Sequence, residues 1–201
     1  LGGRWFLDTS LSAGASLICI EAELSEIAIG LATVGNNSQS KLMWGAPIIL
    51  WTEMELETTA NANDRHSQAG LTFGGAGAEV SDNPSGPTVR LYARGDSNPF
   101  SYEIFTAKGS GAAGVFTPLT GIPTGGHFVY QRLMLVIIPG ASVQGYVNGV
   151  LGATVTGASI PDATINLSDQ GAGVYVRTSA NANDETIAAF AGFQVERIGR
   201  P

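Results

Sequence analysis

Apolar residues in this chain come in short runs, many of them alternating with polar ones, and each run is closed by Gly, Pro, Asn or Ser. Enrichment in β-branched and aromatic residues predicts strands over Arg4 to Leu7, Ser16 to Leu24, Ile48 to Thr58, Gly70 to Phe73, Thr88 to Ala93 and Ser101 to Phe105. Further strands are predicted over Phe128 to Ile138, Val143 to Val147, Val150 to Val155, Gly173 to Arg177 and Ile187 to Ile198. Many short strands with turn residues between them predict an all-β protein, a two-sheet antiparallel β-sandwich. Glu21 to Leu31 has a helical composition and Asn183-Asp184-Glu185 matches a helix cap, so minor helix is expected beside the sheets. The clearest local signal is Tyr146-Val147-Asn148-Gly149-Val150-Leu151. Asn-Gly between two apolar runs predicts a two-residue hairpin, because both central residues need positive φ.

One internal near-repeat stands out. Thr58-Thr59-Ala60-Asn61-Ala62-Asn63-Asp64 returns as Thr178-Ser179-Ala180-Asn181-Ala182-Asn183-Asp184, 120 residues later. A solenoid needs a short regular period, so these read as two polar connections, each closed by Asn and Asp side chains. Calcium ligation is the alternative, weakened by there being one Asp per loop where several oxygens must converge. No cofactor is expected.

Composition narrows the class. A chain of 201 residues, 44% hydrophobic, buries a core without staples, and a single domain spanning 1–201 is expected. There are 27 glycines and just two lysines, Lys41 and Lys108, which suits strands and turns. A net charge of −7 lacks the basic footprint of nucleic-acid binding. The single Cys19, in the run Leu17-Ile18-Cys19-Ile20, has no partner for an internal disulfide and reads as a buried thiol. No apolar stretch is long enough for a helical membrane span, and no signal-peptide pattern opens the chain. Leu at position 1 predicts a processed product or an excised piece.

Five segments in order carry a resemblance. They are Ala69-Gly70-Leu71-Thr72-Phe73, Arg132-Leu133-Met134-Leu135-Val136-Ile137, Gly145 to Leu151, Gly171-Ala172-Gly173-Val174-Tyr175, and Ala189-Phe190-Ala191-Gly192-Phe193-Gln194-Val195. Together they resemble the concanavalin-like superfamily, in particular laminin-G-like and glycoside-hydrolase-16-like non-catalytic domains, over about Ile48 to Ile198. The resemblance implies a jelly-roll sandwich and leaves function open, because sandwiches host many activities.

Candidate chemistry is sparse. In Trp51-Thr52-Glu53-Met54-Glu55-Leu56-Glu57 the strand period sets Glu53, Glu55 and Glu57 on one face and Thr52, Met54 and Leu56 on the other. Retaining glycosidases need two carboxyl groups roughly 5 Å apart, whereas the backbones of Glu53 and Glu57 are separated by roughly 13 Å. The run resembles the catalytic strand of glycoside hydrolase 16, with Glu55 where that pattern has Asp. An exposed polar strand face is the simpler reading. Trp51 shares that face and is placed to stack against a sugar. Neither His66 nor His127 has a neighbour at triad or metal spacing, and no metal site is expected. The Gly-rich stretches at Gly74 and Gly109 lack phosphate-loop context. Arg94-Gly95-Asp96, ahead of Ser97-Asn98-Pro99, reads as a turn and alternatively as a receptor-binding tripeptide.

With no complete catalytic set, the expectation is a non-enzymatic structural or attachment component of an extracellular assembly. A virion surface protein of a bacteriophage, such as a head decoration, spike or fibre, fits the acidic, lysine-poor composition. Its partners would be other assembly subunits, in a homo-oligomer, and a cell-surface glycan or receptor, with no nucleic acid and no membrane. The alternatives are a carbohydrate-binding module built on Trp5, Trp44 and Trp51, and a glycosidase using Glu53 and Glu57.

Overall fold

The computed structural model describes residues 47–58, 68–75, 84, 86–94, 100–109, 113–122, 125, 129–161, 170–177 and 186–197, and the backbone of 4–8 and 16–23. Among the described residues, twelve strands run in chain order: β1 (Arg4–Asp8), β2 (Ser16–Glu23), β3 (Ile48–Thr58), β4 (Gln68–Gly75), β5 (Thr88–Arg94) and β6 (Ser101–Ala107), then β7 (Val115–Pro118), β8 (Gln131–Ile138), β9 (Ser142–Val147), β10 (Val150–Thr156), β11 (Gln170–Arg177) and β12 (Thr186–Arg197). They form two six-stranded antiparallel sheets, β1-β12-β3-β8-β9-β10 and β2-β11-β4-β5-β6-β7. This is the expected all-β sandwich.

The differences are local. Strand β7 was not anticipated, since Val-Phe-Thr-Pro is four residues long, half exposed and ends in Pro, an edge strand without an apolar run. Strand β4 extends into Gly74 and Gly75, and β5 runs through Arg94 rather than stopping at Ala93. Among the described residues there is no helix. Glu21 to Glu23 belong to β2, while Leu24 to Leu31 and Asn183-Asp184-Glu185 lie outside the described residues. Of the near-repeat, Thr58 ends β3 and Thr59 to Asp64 and Thr178 to Asp184 lie outside them. The hairpin forms as expected, with Asn148 at φ 51° and Gly149 at φ 81° between β9 and β10.

The two sheets differ in how they bury their faces. In β3 the alternation holds: Ile48, Leu50, Thr52, Met54 and Leu56 are buried while Trp51, Glu53 and Glu55 are only partly covered. Leu133, Leu135 and Ile137 of β8 continue that inward face, which meets Leu71, Leu91, Ile104 and Val174 of the second sheet in one apolar core. Central strands of the second sheet are buried on both sides: β5 is covered at every position from Thr88 to Ala93, and β6 from Tyr102 to Ala107. Its outward face carries Arg90, Tyr92 and Glu103, residue types that stay inside only with partners. That face gathers buried polar side chains from neighbouring strands.

Candidate functional site

Register fixes which side chains share the outer face of the second sheet. Across β11, β4, β5 and β6, Arg177, Gln68, Arg94 and Ser101 lie side by side. Tyr175, Gly70, Tyr92 and Glu103 make the next row, and Gly173, Thr72, Arg90 and Phe105 the row after it. Successive rows on one face are roughly 7 Å apart. Burial grades across them. Ser101 is exposed, the Arg94 side chain is 19% exposed and Arg177 is half-buried, whereas Gln68, Tyr92, Tyr175, Arg90 and Phe105 are fully buried. Arg177, Arg94 and Ser101 of the first row are therefore the open margin of the face.

In the middle row, one carboxylate ties two strands together. The Tyr92 hydroxyl donates to Glu103 Oε2 at 2.8 Å, and Arg94 Nη1 donates to Glu103 Oε1 at 3.0 Å. The Tyr175 hydroxyl donates to Gln68 Oε1 at 2.9 Å, linking the middle row to the first. The Tyr92 and Tyr175 rings meet edge to face, centroids 6.5 Å apart, across the strand that carries Gly70. Glycine is required there: a Cβ at Gly70 would fall 2.6 Å from the Tyr92 Cα and 2.1 Å from the Leu91 carbonyl. Below them the Arg90 guanidinium lies 4.0 Å from the Phe105 ring centroid and about 6 Å from those of Tyr92 and Tyr175. Aromatic faces stabilise a desolvated cation in this way.

These surroundings decide protonation. Burial pushes the Tyr92 phenol far above its ordinary range, and the neighbouring Tyr175 and Glu103 push it further, against the opposing pull of Arg90. Tyr92 therefore holds its proton, directed at Glu103.

Sequence reasoning passed over Gln68, Arg90, Tyr92, Glu103 and Tyr175. A signal existed in Thr88-Val89-Arg90-Leu91-Tyr92-Ala93-Arg94, whose alternation puts two arginines and a tyrosine on one face. Ending the strand at Ala93 assigned Arg94 to a turn and hid that pattern. The structure places Arg94 at the end of β5 with its guanidinium on Glu103; Gly95 and Asp96 lie outside the described residues.

The glutamate strand lies elsewhere, on the outer face of the first sheet. Glu53 accepts from Arg132 Nε at 3.1 Å and from Nη2, and the Arg132 guanidinium stands 5.6 Å from the Trp51 ring centroid. Gly192 packs against the indole, its Cβ position 3.6 Å from Trp51 Cζ3. Glu53 and Arg132 border a cleft of about 380 Å³ with Tyr130, Gln131, Asn148 and Gly149. Glu55 is half-buried on the same face, and the side chains of Glu57 and Trp5, together with Trp44, His66 and His127, lie outside the described residues. Among the described residues no three His, Cys, Asp or Glu side chains gather as a metal would require.

Fold and face together define a sandwich with a buried guanidinium, tyrosine and carboxylate array on one sheet. No protein-family model matches the sequence, and no curated protein does. Solved structures do match the fold. The alginate lyase from Klebsiella pneumoniae superposes with a TM-score of 0.61 at 13% identity, over 97% of this chain and 81% of that one. A family 7 alginate lyase in complex with substrate gives 0.55 at 12% identity, over 96% and 77%. The alginate lyase from a Chlorella virus gives 0.51 at 14%, over 77% and 72%. These likenesses agree with the two antiparallel sheets in a β-sandwich jelly roll as the fold, and the narrower glycoside-hydrolase-16-like assignment is not supported.

These neighbours correct the functional expectation. Lyases with this architecture overturn the reading of a non-enzymatic virion decoration, spike or fibre, and they fit neither the carbohydrate-binding module nor the glycosidase. The physical reason is that paired carboxylates are a requirement of glycosidases, and their absence does not exclude other chemistry on a polysaccharide.

Proposed function

We propose that this chain is a polysaccharide lyase acting on a uronate polymer of the alginate type, with the outer face of the second sheet as its active face. Cleavage by β-elimination makes three demands. The uronate carboxylate must be neutralised to acidify the C5 hydrogen, a base must take that hydrogen, and an acid must protonate the departing glycosidic oxygen. The observation carrying the reading is the register, which puts the Arg94 and Arg177 positions one row from Tyr92, Tyr175 and Glu103. Although the chain is −7 overall, three of its ten basic residues, Arg90, Arg94 and Arg177, belong to these rows against the single carboxylate of Glu103. An acidic polymer would meet Arg94 and Arg177 first, at the open margin. Because Tyr92 and Tyr175 are fully buried in this structure, turnover requires the middle row to become accessible. Fold likeness to alginate lyases supports the same substrate class.

The test is incubation of the purified protein with alginate and with other polyuronates, following the ultraviolet absorbance of the unsaturated uronate end. Product from a polyuronate and not from a neutral glucan is expected, with Arg94→Ala lowering turnover at least tenfold, about 1.4 kcal/mol in transition-state binding. Absence of unsaturated product from every polyuronate overturns the reading.

A further inference from the structure

Resting on that reading, we propose that Glu103 is the proton acceptor of the active face, reached through Tyr92. The two tyrosines of the middle row are distinguished by what their hydroxyls touch. Tyr92 donates to a carboxylate at 2.8 Å, a group able to receive its proton. Tyr175 donates to the amide oxygen of Gln68 at 2.9 Å, which is not basic enough to take one. Tyr92 therefore sits on the base side of the reaction and Tyr175 on the acid side.

A second consideration excludes the simpler scheme in which Tyr92 acts as a preformed phenolate. A phenolate there would stand 2.8 Å from the Glu103 carboxylate, a second anion, and would lose the hydrogen bond that the phenol proton makes to it. Proton removal by Tyr92 must then be concerted with loss of its own proton. As the C5–H bond breaks, the hydrogen forms a new O–H bond on Tyr92 while the original phenol proton moves to Glu103 Oε2. The C5–H electron pair becomes the C4–C5 double bond, the C4–O4 bond breaks, and the departing oxygen takes the Tyr175 proton. Exchange with water then removes the proton from Glu103 and restores the one on Tyr175. No oxidant or co-reactant is needed. Arg94, 3.0 Å from Oε1, fixes the carboxylate so that Oε2 stays on Tyr92.

The experiment is a double-mutant cycle with steady-state kinetics on alginate and thermal melting as the check on folding. Glu103→Gln keeps size and a hydrogen-bond acceptor and removes the capacity to accept a proton. It is expected to lower kcat by about 100-fold or more with KM changed by less than about twofold. Tyr92→Phe is expected to lose as much, and the double variant no more than Tyr92→Phe alone, since both substitutions break one relay. A merely structural Glu103 would move the melting temperature and give additive losses. Full kcat in a folded Glu103→Gln, or additive losses, overturns the relay. Should Glu103→Gln not fold, the wild type decides: rates in mixtures of light and heavy water that require two exchangeable protons in flight, those of Tyr92 and Tyr175, support the relay, and rates that require only one overturn it. An inactive wild type is a different outcome and removes the lyase reading itself.

Discussion

Tyr102 and Glu103 are neighbours on β6 that face opposite sides of the sheet, and the contrast shows what a buried polar group needs. Glu103 is 2% exposed and is held by Tyr92 and Arg94. Tyr102 is 1% exposed and turns into the inter-sheet core, where its hydroxyl has no hydrogen-bond partner among the described residues. An unpaired buried hydroxyl costs about 1–3 kcal/mol. Tyr102→Phe, which deletes only that oxygen, should therefore raise stability at neutral pH by about 1 kcal/mol. Burial also pushes the Tyr102 phenol from 10.0 up to about 12. The unfolded chain loses this proton first as pH rises, so the folded state binds more protons and stability falls between about pH 10 and 12. Urea unfolding of wild type and Tyr102→Phe across that range should show the variant losing less. A variant less stable than wild type at pH 7 would mean that the hydroxyl is satisfied after all.

Elements were legible wherever a run of side chains had one buried face. The alternation of β3 was readable from the chain, and the core took Met54 and Leu56 as expected. The β9–β10 hairpin was readable because Asn148-Gly149 carries its geometry in the residue types, and the structure shows what else holds it. Asn148 Oδ1 accepts from the Arg132 amide at 2.8 Å, and its backbone amide donates to the Arg132 carbonyl at 2.8 Å. Its side-chain amide nitrogen also donates to Gln131 Oε1 at 2.6 Å. Asn148→Ala loses both side-chain bonds and a residue tolerant of positive φ, and should cost about 1–2 kcal/mol. Asn148→Gly keeps the φ and loses the two bonds alone, so it should cost less in the same thermal melts. Equal costs would place the whole effect in the hydrogen bonds. The second sheet was less legible for a physical reason. With both faces covered, β5 shows no polar side turned to water, and Arg90 reads from sequence as a surface residue although it is fully buried. What makes that burial tolerable is Phe105, on a different strand, and Tyr175, 85 residues away, which no local pattern connects.

At the scale of the whole molecule, charge and fold pull in opposite directions. Seven net negative charges repel a polyanion at long range, while the guanidinium groups of the margin attract it at contact. Salt separates the two because screening acts on distance. At about 0.01 M ionic strength the Debye length is roughly 30 Å, so the repulsion of the entire chain reaches an approaching polymer. Near 0.15 M it is about 8 Å, which hides most of that repulsion and leaves contacts of a few ångströms in place, and near 1 M it is about 3 Å, short enough to weaken the contacts too. On the lyase reading, kcat/KM for alginate should therefore pass through a maximum at intermediate salt. Arg94→Gln should lower the maximum and flatten the fall beyond it, because the attraction that salt weakens is already reduced. Initial rates measured against sodium chloride decide the matter. A monotonic decline from the lowest salt would show that the polymer does not feel the net charge, and a rise without a fall would show that the arginine margin makes no ionic contact with it.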